Sequence, residues 1–242
     1  MNTGAAGRSS PGPEDSHTSQ PGGAELLSHC GHALRTPLNA ILGFAQILLL
    51  DRSHLLSPVQ KERVDKIQAA GWQMLQLIDD LVELCRMEAG RIDVPLTAVA
   101  VGPIIRDSLA QVGAQAAERQ IDLQPDAHLD ATVRANPPRL QQVLVNLLAG
   151  ALRCGRCGGV VRVGVRSEVR EVCIWIGDPG QTMTLEQLQQ AFVPLAPGLT
   201  SGQSLQIGMA LAQRLVERMD GSLRIDRGAA PGCEVQIVLP AG

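Results

Sequence analysis

Aromatic side chains are nearly missing from these 242 residues: there are two Trp, two Phe and no Tyr. The cores must therefore be aliphatic, and recognition by stacking on bases or sugars has little to work with. No basic run stands out and the formal net charge is −3, which excludes nucleic acid as a main partner. The six cysteines are scattered and do not form the framework of a small secreted domain. Cys154-Gly-Arg-Cys157 has metal-ligand spacing, but no second Cys or His pair accompanies it, so no zinc is expected. No stretch reaches the roughly 18 apolar residues that cross a bilayer, so no membrane contact is expected. Residues 1–23 are rich in Gly, Ser and Pro and lack the apolar run of a leader peptide. They are predicted to be disordered, and the chain to reside in the cytoplasm.

What is present is a globular composition, 45% apolar and 19% charged. A helical apolar stripe runs from about Ala24 to about Asp51 through Leu34, Leu38, Ile41, Leu42 and Leu48. Inside it stands His32-Ala33-Leu34-Arg35-Thr36-Pro37-Leu38-Asn39. His32 and Thr36 are four apart and share a face. Pro37 cannot donate to the carbonyl of Ala33, so a bend is expected just after His32. Taken alone, this pattern fits a solvated histidine on an amphipathic helix better than a nucleophile with a polar neighbour.

A second helix is predicted from Pro58 to about Ala89, with Ser57 as N-cap, Pro58 at the first helical position and Gly90 as the stop. Two long amphipathic helices joined by a short turn make an antiparallel hairpin. Pairing two hairpins into a four-helix bundle would cover both apolar stripes. After about residue 94 the periodicity changes. Helices are predicted at Val101–Glu118, Pro138–Leu152, Thr184–Ala191 and Leu205–Met219. Strands are predicted at Ile121–Leu123, Ala131–Arg134, Val160–Val165, Glu171–Ile176, Leu223–Asp226 and Glu234–Leu239. The class is α+β: a helical hairpin, then an α/β sandwich with a mixed sheet.

The His32 stretch resembles the phosphoacceptor box of the sensor histidine kinases of two-component signalling, His-Glu/Asp-Leu-Arg-Thr-Pro-Leu, at every position but Ala33. The later elements resemble that family's ATP-binding domain, in the superfamily shared with DNA gyrase and MutL-type ATPases. The resemblance implies three parts: a segment 1–23, a dimerisation and histidine phosphotransfer domain at 24–92, and a nucleotide-binding domain at 93–242. It implies His32 as phosphoacceptor, Arg35 beside it, and Thr36 as a residue that helps dephosphorylate a response regulator. It also implies ATP and Mg²⁺ as cofactors, with Asn146, Arg153, Asp178, Gly180 and Gly208 as the nucleotide contacts and Asn146 as a weak Mg²⁺ ligand.

The departures are concentrated on phosphate, metal and proton transfer. Ala33 replaces the acid beside the histidine. Gly150 replaces the second asparagine of the Mg²⁺ box and offers no side-chain oxygen. Thr182 replaces a loop glycine and resists positive φ. Ser204 and Gln206 replace two glycines of the phosphate cradle. Weak nucleotide binding and weak or absent autokinase activity are therefore expected. The leading reading is a phosphorelay protein that exchanges phosphoryl between His32 and the aspartate of a response regulator receiver domain. Two alternatives stand beside it: an active ATP-dependent protein-histidine kinase with a variant lid, and a non-catalytic partner that forms heterodimers with a sensor kinase. A homodimer is expected. A chain of this length has no room for an input domain, so the signal is expected to arrive through a partner.

Overall fold

The computed structural model describes residues 23–51, 55–88, 94–178, 203–227 and 233–242. The segment 1–22, the stop at Gly90, the helix expected at Thr184–Ala191, and Gly180 and Thr182 lie outside the described residues.

Helix α1 spans Gly23–Leu50 and α2 spans Pro58–Glu88. The start of α2 is a reciprocal cap. Gln60 N donates to Ser57 Oγ at 3.3 Å, and Ser57 N donates to Gln60 Oε1 at 2.9 Å. Helix α1 is unbroken at Pro37. In that turn the Thr36 hydroxyl donates to the carbonyl of His32 at 3.3 Å. Leu38, Leu42, Ile78 and Val82 form the core between the helices. Two glycines allow the close approach: a methyl at Gly71 would come within 2.7 Å of Leu42, and one at Gly31 within 2.5 Å of Val82. The other seam of the hairpin is bare. Leu34, Ile41 and Leu48 recur every seventh residue on α1, as do Ile67 and Met74 on α2, and all five are 48–55% exposed.

The expectation that no stretch is apolar enough to span a bilayer is corrected here. Cys30–Leu50 meets that test by length and composition, with mean hydropathy 1.4. The physical reason is that α1 is apolar on two faces, of which α2 covers only one.

The second part of the chain contains β1 (Thr97–Ala100), α3 (Val101–Glu118), β2 (Asp122–Pro125), β3 (Thr132–Ala135), α4 (Pro137–Cys154), β4 (Val160–Ser167), β5 (Glu171–Asp178), α5 (Gln203–Arg218), β6 (Ser222–Arg227) and β7 (Cys233–Pro240). The main sheet has the order β2-β4-β5-β7-β6, with β2–β4 parallel and the other pairs antiparallel. Strands β1 and β3 form a separate antiparallel ribbon. Alternate residues of the sheet, Val161, Val163, Ile174, Ile176, Ile237 and Leu239, are buried with the apolar faces of α3, α4 and α5 in one core. On the opposite face Arg166 donates twice to Glu234, at 2.6 and 3.1 Å, and lies 5.0 Å from the Trp175 ring centre. The Trp175 ring crosses Gly164, where any side chain would collide with it.

Helix α4 is opened by Pro137 and Pro138 and capped by Asn136, whose Oδ1 accepts from Arg139 N at 3.2 Å. Helices α3 and α5 leave by the same device. Gln120 and Asp220 each adopt φ 56°, and the next amides, Ile121 and Gly221, bond back to the carbonyls of Ala116 and Val216. The hairpin is joined to this sandwich by more than a linker. Leu84 and Met87 of α2 belong to the sandwich core. Arg218 of α5 donates to the Met87 carbonyl at 2.9 Å.

Candidate phosphotransfer and nucleotide sites

His32 is exposed on α1, with Ala33 and Thr36 also exposed beside it. The ring is therefore open to an approaching partner. Arg35, two residues past Ala33, turns inward and pairs with Asp79 of α2: its Nε and Nη2 both lie 2.6 Å from Asp79 Oδ1. This ion pair fixes the turn that carries His32 against the neighbouring helix, as does the Gly31 contact with Val82 and Ile78 one residue earlier. Arg35 thus has a positioning role in the free chain.

The nucleotide residues behave differently. Asn146 lies on α4, half-buried, and its Nδ2 donates to the carbonyl of Gly208 on α5 at 3.2 Å. These two of the expected contacts are brought together. Gly150 is buried one turn further along α4, and Arg153 is exposed near the end of that helix. Asp178 ends β5, opposite Cys233. Ser204 lies in the first turn of α5. Gln206, in place of a cradle glycine, is only 1% exposed, and both its Oε1 and Nε2 are buried without a hydrogen-bond partner. Toward Mg²⁺, α4 offers the side-chain amide oxygen of Asn146 and no side-chain oxygen at Gly150.

Residues that the sequence did not single out lie on α2. Asp80 is 5% exposed. Its carboxyl is raised from 3.8 to about 6, chiefly by burial and also by the charges of Glu83 and Asp79, while a hydrogen bond from Gln76 and the charge of Arg153 oppose the shift. Gln76 Nε2 donates to Asp80 Oδ1 at 2.9 Å. Glu83 pairs with Arg139 of α4 and accepts from Gln142 Nε2 at 2.6 Å. At the far end of α4, Arg119 donates to the carbonyls of Arg153 and Gly155 at 2.9 and 3.2 Å and lies 3.9 Å from Cys157 Sγ. Among the described residues, no three His, Cys, Asp or Glu side chains gather in a way that could hold a metal ion.

Residues 24–90 match the His Kinase A (phospho-acceptor) domain, and residues 135–242 match the histidine kinase-, DNA gyrase B-, and HSP90-like ATPase domain. The chain belongs to the two-component sensor histidine kinase family. It is 26% identical over 234 residues to the cell-division control histidine kinase PdhS of Brucella suis, covering 89% of this chain and 22% of that protein. It is 28% identical over 223 residues to the circadian input-output histidine kinase CikA of Synechococcus elongatus, covering 89% of this chain and 30% of that protein. The chain thus spans less than a third of the curated relatives it matches. Among solved structures it resembles full-length ShkA in complex with AMPPNP, with TM-score 0.71, 23% identity, and coverage of 90% of this chain and 46% of that one. It also resembles the Acinetobacter baumannii histidine kinase AdeS, with TM-score 0.61, 17% identity, and coverage of 87% and 98%. At these identities the two structures show the fold alone, a helical hairpin followed by an α/β sandwich.

Proposed function

We propose that this chain carries phosphoryl on His32 and exchanges it with the aspartate of a response regulator receiver domain, with little or no phosphorylation from ATP. The observation that carries this reading is the contrast between an exposed, well-braced His32 and a nucleotide face in which Gly150 offers no oxygen and Gln206 is buried in place of a glycine. In the reaction, a ring nitrogen lone pair of His32 attacks the phosphorus of an aspartyl phosphate. The N–P bond forms as the P–O bond breaks, the carboxylate leaves with the electron pair, and the ring proton passes to water. This donor is already activated, and in-line placement supplies most of the remaining requirement. The acid missing at Ala33 matters less here than in attack on ATP.

The bare seam of Leu34, Ile41, Leu48, Ile67 and Met74 supports a homodimer built as a four-helix bundle. On this reading the apolar length of α1 serves the bundle rather than a bilayer, and the protein works in the cytoplasm. One observation favours the alternative of an active ATP-dependent kinase: Asn146 and Gly208 remain in contact, at 3.2 Å.

The test is to mix the protein with a phosphorylated receiver domain, without ATP, and follow acid-labile label. Label should move to this chain, vanish in His32→Ala and persist in His29→Ala. Label from ATP with Mg²⁺ alone, and none from receivers, would establish the kinase alternative instead.

A further inference from the structure

We infer that Asp80 of α2 is a built-in competitor for the anionic end of a nucleotide, so that the hairpin holds the vestigial nucleotide face closed. This rests on reading the α4–α5 junction as that face. Its evidence is positional. Around the spot where a Cβ on Gly208 would sit, the Asn146 amide lies at 3.7 Å and Asp80 Oδ2 at 3.8 Å. A carboxylate from the hairpin therefore lies beside two of the expected nucleotide contacts, Asn146 on α4 and Gly208 on α5. Arg153, the third such residue, supplies the positive charge acting on Asp80. Gln76 occupies Oδ1, which leaves Oδ2 turned to the junction.

The cover is fastened at two points beyond Asp80 on α2. Glu83 is held by Arg139 and by Gln142 at 2.6 Å, and the Met87 carbonyl by Arg218 at 2.9 Å. Beneath it the α5 turns from Gln206 to Ala212 are buried without interruption. A phosphate entering this corner would meet a like charge in a place shielded from water, where repulsion is weakly screened. It would also have to displace α2. Asp80 thus holds an anion's place among residues that otherwise favour one.

The test is calorimetric titration of the full chain with ADP and, separately, with ATP and Mg²⁺. Asp80→Ala removes both charge and volume and should raise affinity for both nucleotides by roughly tenfold or more. Asp80→Asn removes the charge alone and should raise it less. Glu83→Gln weakens the fastening and gives a second route to the same gain if an Asp80 variant folds poorly. Gln213→Ala, on the exposed side of α5, should leave affinity unchanged. Equal affinity in wild type and Asp80→Ala overturns the inference, as does the absence of nucleotide binding in every variant. So does weaker ATP–Mg²⁺ binding in Asp80→Ala, which would make Asp80 a metal ligand. These outcomes are separable from the phosphocarrier reading, because receiver-dependent labelling of His32 is scored without nucleotide.

Discussion

The two ends of the chain's chemistry have diverged. On α1, the turn around His32 keeps its exposed ring and its braces, the Arg35–Asp79 ion pair and the Gly31–Val82 contact. At the α4–α5 junction, Gly150 stands where the family pattern has an asparagine, Gln206 is buried where it has a glycine, and Asp80 of the hairpin lies beside Gly208. A chain that had lost its purpose altogether would be expected to lose both, including the Gly31 needed for close helix approach. On the proposed reading, holding a phosphoryl group and drawing it from ATP are separable demands on one fold. The first needs one exposed imidazole. The second needs a cradle of oxygens and backbone amides.

The largest expected effect tests whether the junction carries an uncomfortable charge. The folded Asp80 carboxyl titrates at about 6 instead of 3.8. The folded state therefore holds the proton more tightly than the unfolded chain. The cost of ionising Asp80 is fully present above about pH 6, falls as pH drops through that value, and is gone below 3.8. Asp80→Asn should raise urea-unfolding stability at neutral pH by up to roughly 3 kcal/mol. The gap from wild type should close on acidification, and a gap that is constant with pH would show that burial of the charge is not its origin.

Next comes the bracing of the phosphoacceptor turn. Gly31→Ala should cost about 1–3 kcal/mol, because Val82 is β-branched and cannot swing away from the new methyl. Gly43→Ala on the same helix meets nothing within 4 Å and should stabilise by about 0.5–1 kcal/mol. Equal effects at the two positions would mean that the close approach at Gly31 is unimportant. Gln206→Met should stabilise by about 1–2 kcal/mol by removing two unpaired polar atoms from the interior. A loss of stability on thermal unfolding would show that the amide has partners. The smallest effect lies outside both regions. Asp220→Gly should gain about 0.5–1 kcal/mol by relieving a left-handed residue at a helix end, readable as a shift in the urea midpoint.

Much of this was legible in the sequence, for identifiable reasons. The hairpin and α4 announce themselves through long apolar periodicity and through the end signals Ser57-Pro58 and Asn136-Pro137-Pro138. Among the described residues, the expected elements of the sandwich fall within a few residues of their limits. Strand β1 was not legible, because Thr97-Ala-Val-Ala100 is too short to show a period and its partner β3 lies far along the chain. His32 could be found because its neighbours form a contiguous pattern. Asp79, Asp80 and Glu83 could not. Acids on an amphipathic helix read as a solvated face, and only the packing of α2 against α1, α4 and α5 shows that each meets a different neighbour. For the same reason the substitution at Gln206 was visible in the sequence, while the burial of its amide was not.

The central claim is that phosphoryl reaches His32 from a partner's aspartate and not from ATP. Its most direct test is a side-by-side labelling of one preparation, with a phosphorylated receiver domain in one arm and with ATP and Mg²⁺ in the other. The account predicts acid-labile label on this chain in the receiver arm alone, absent in His32→Ala. Label in the ATP arm at a comparable rate, with none from the receiver, would contradict it.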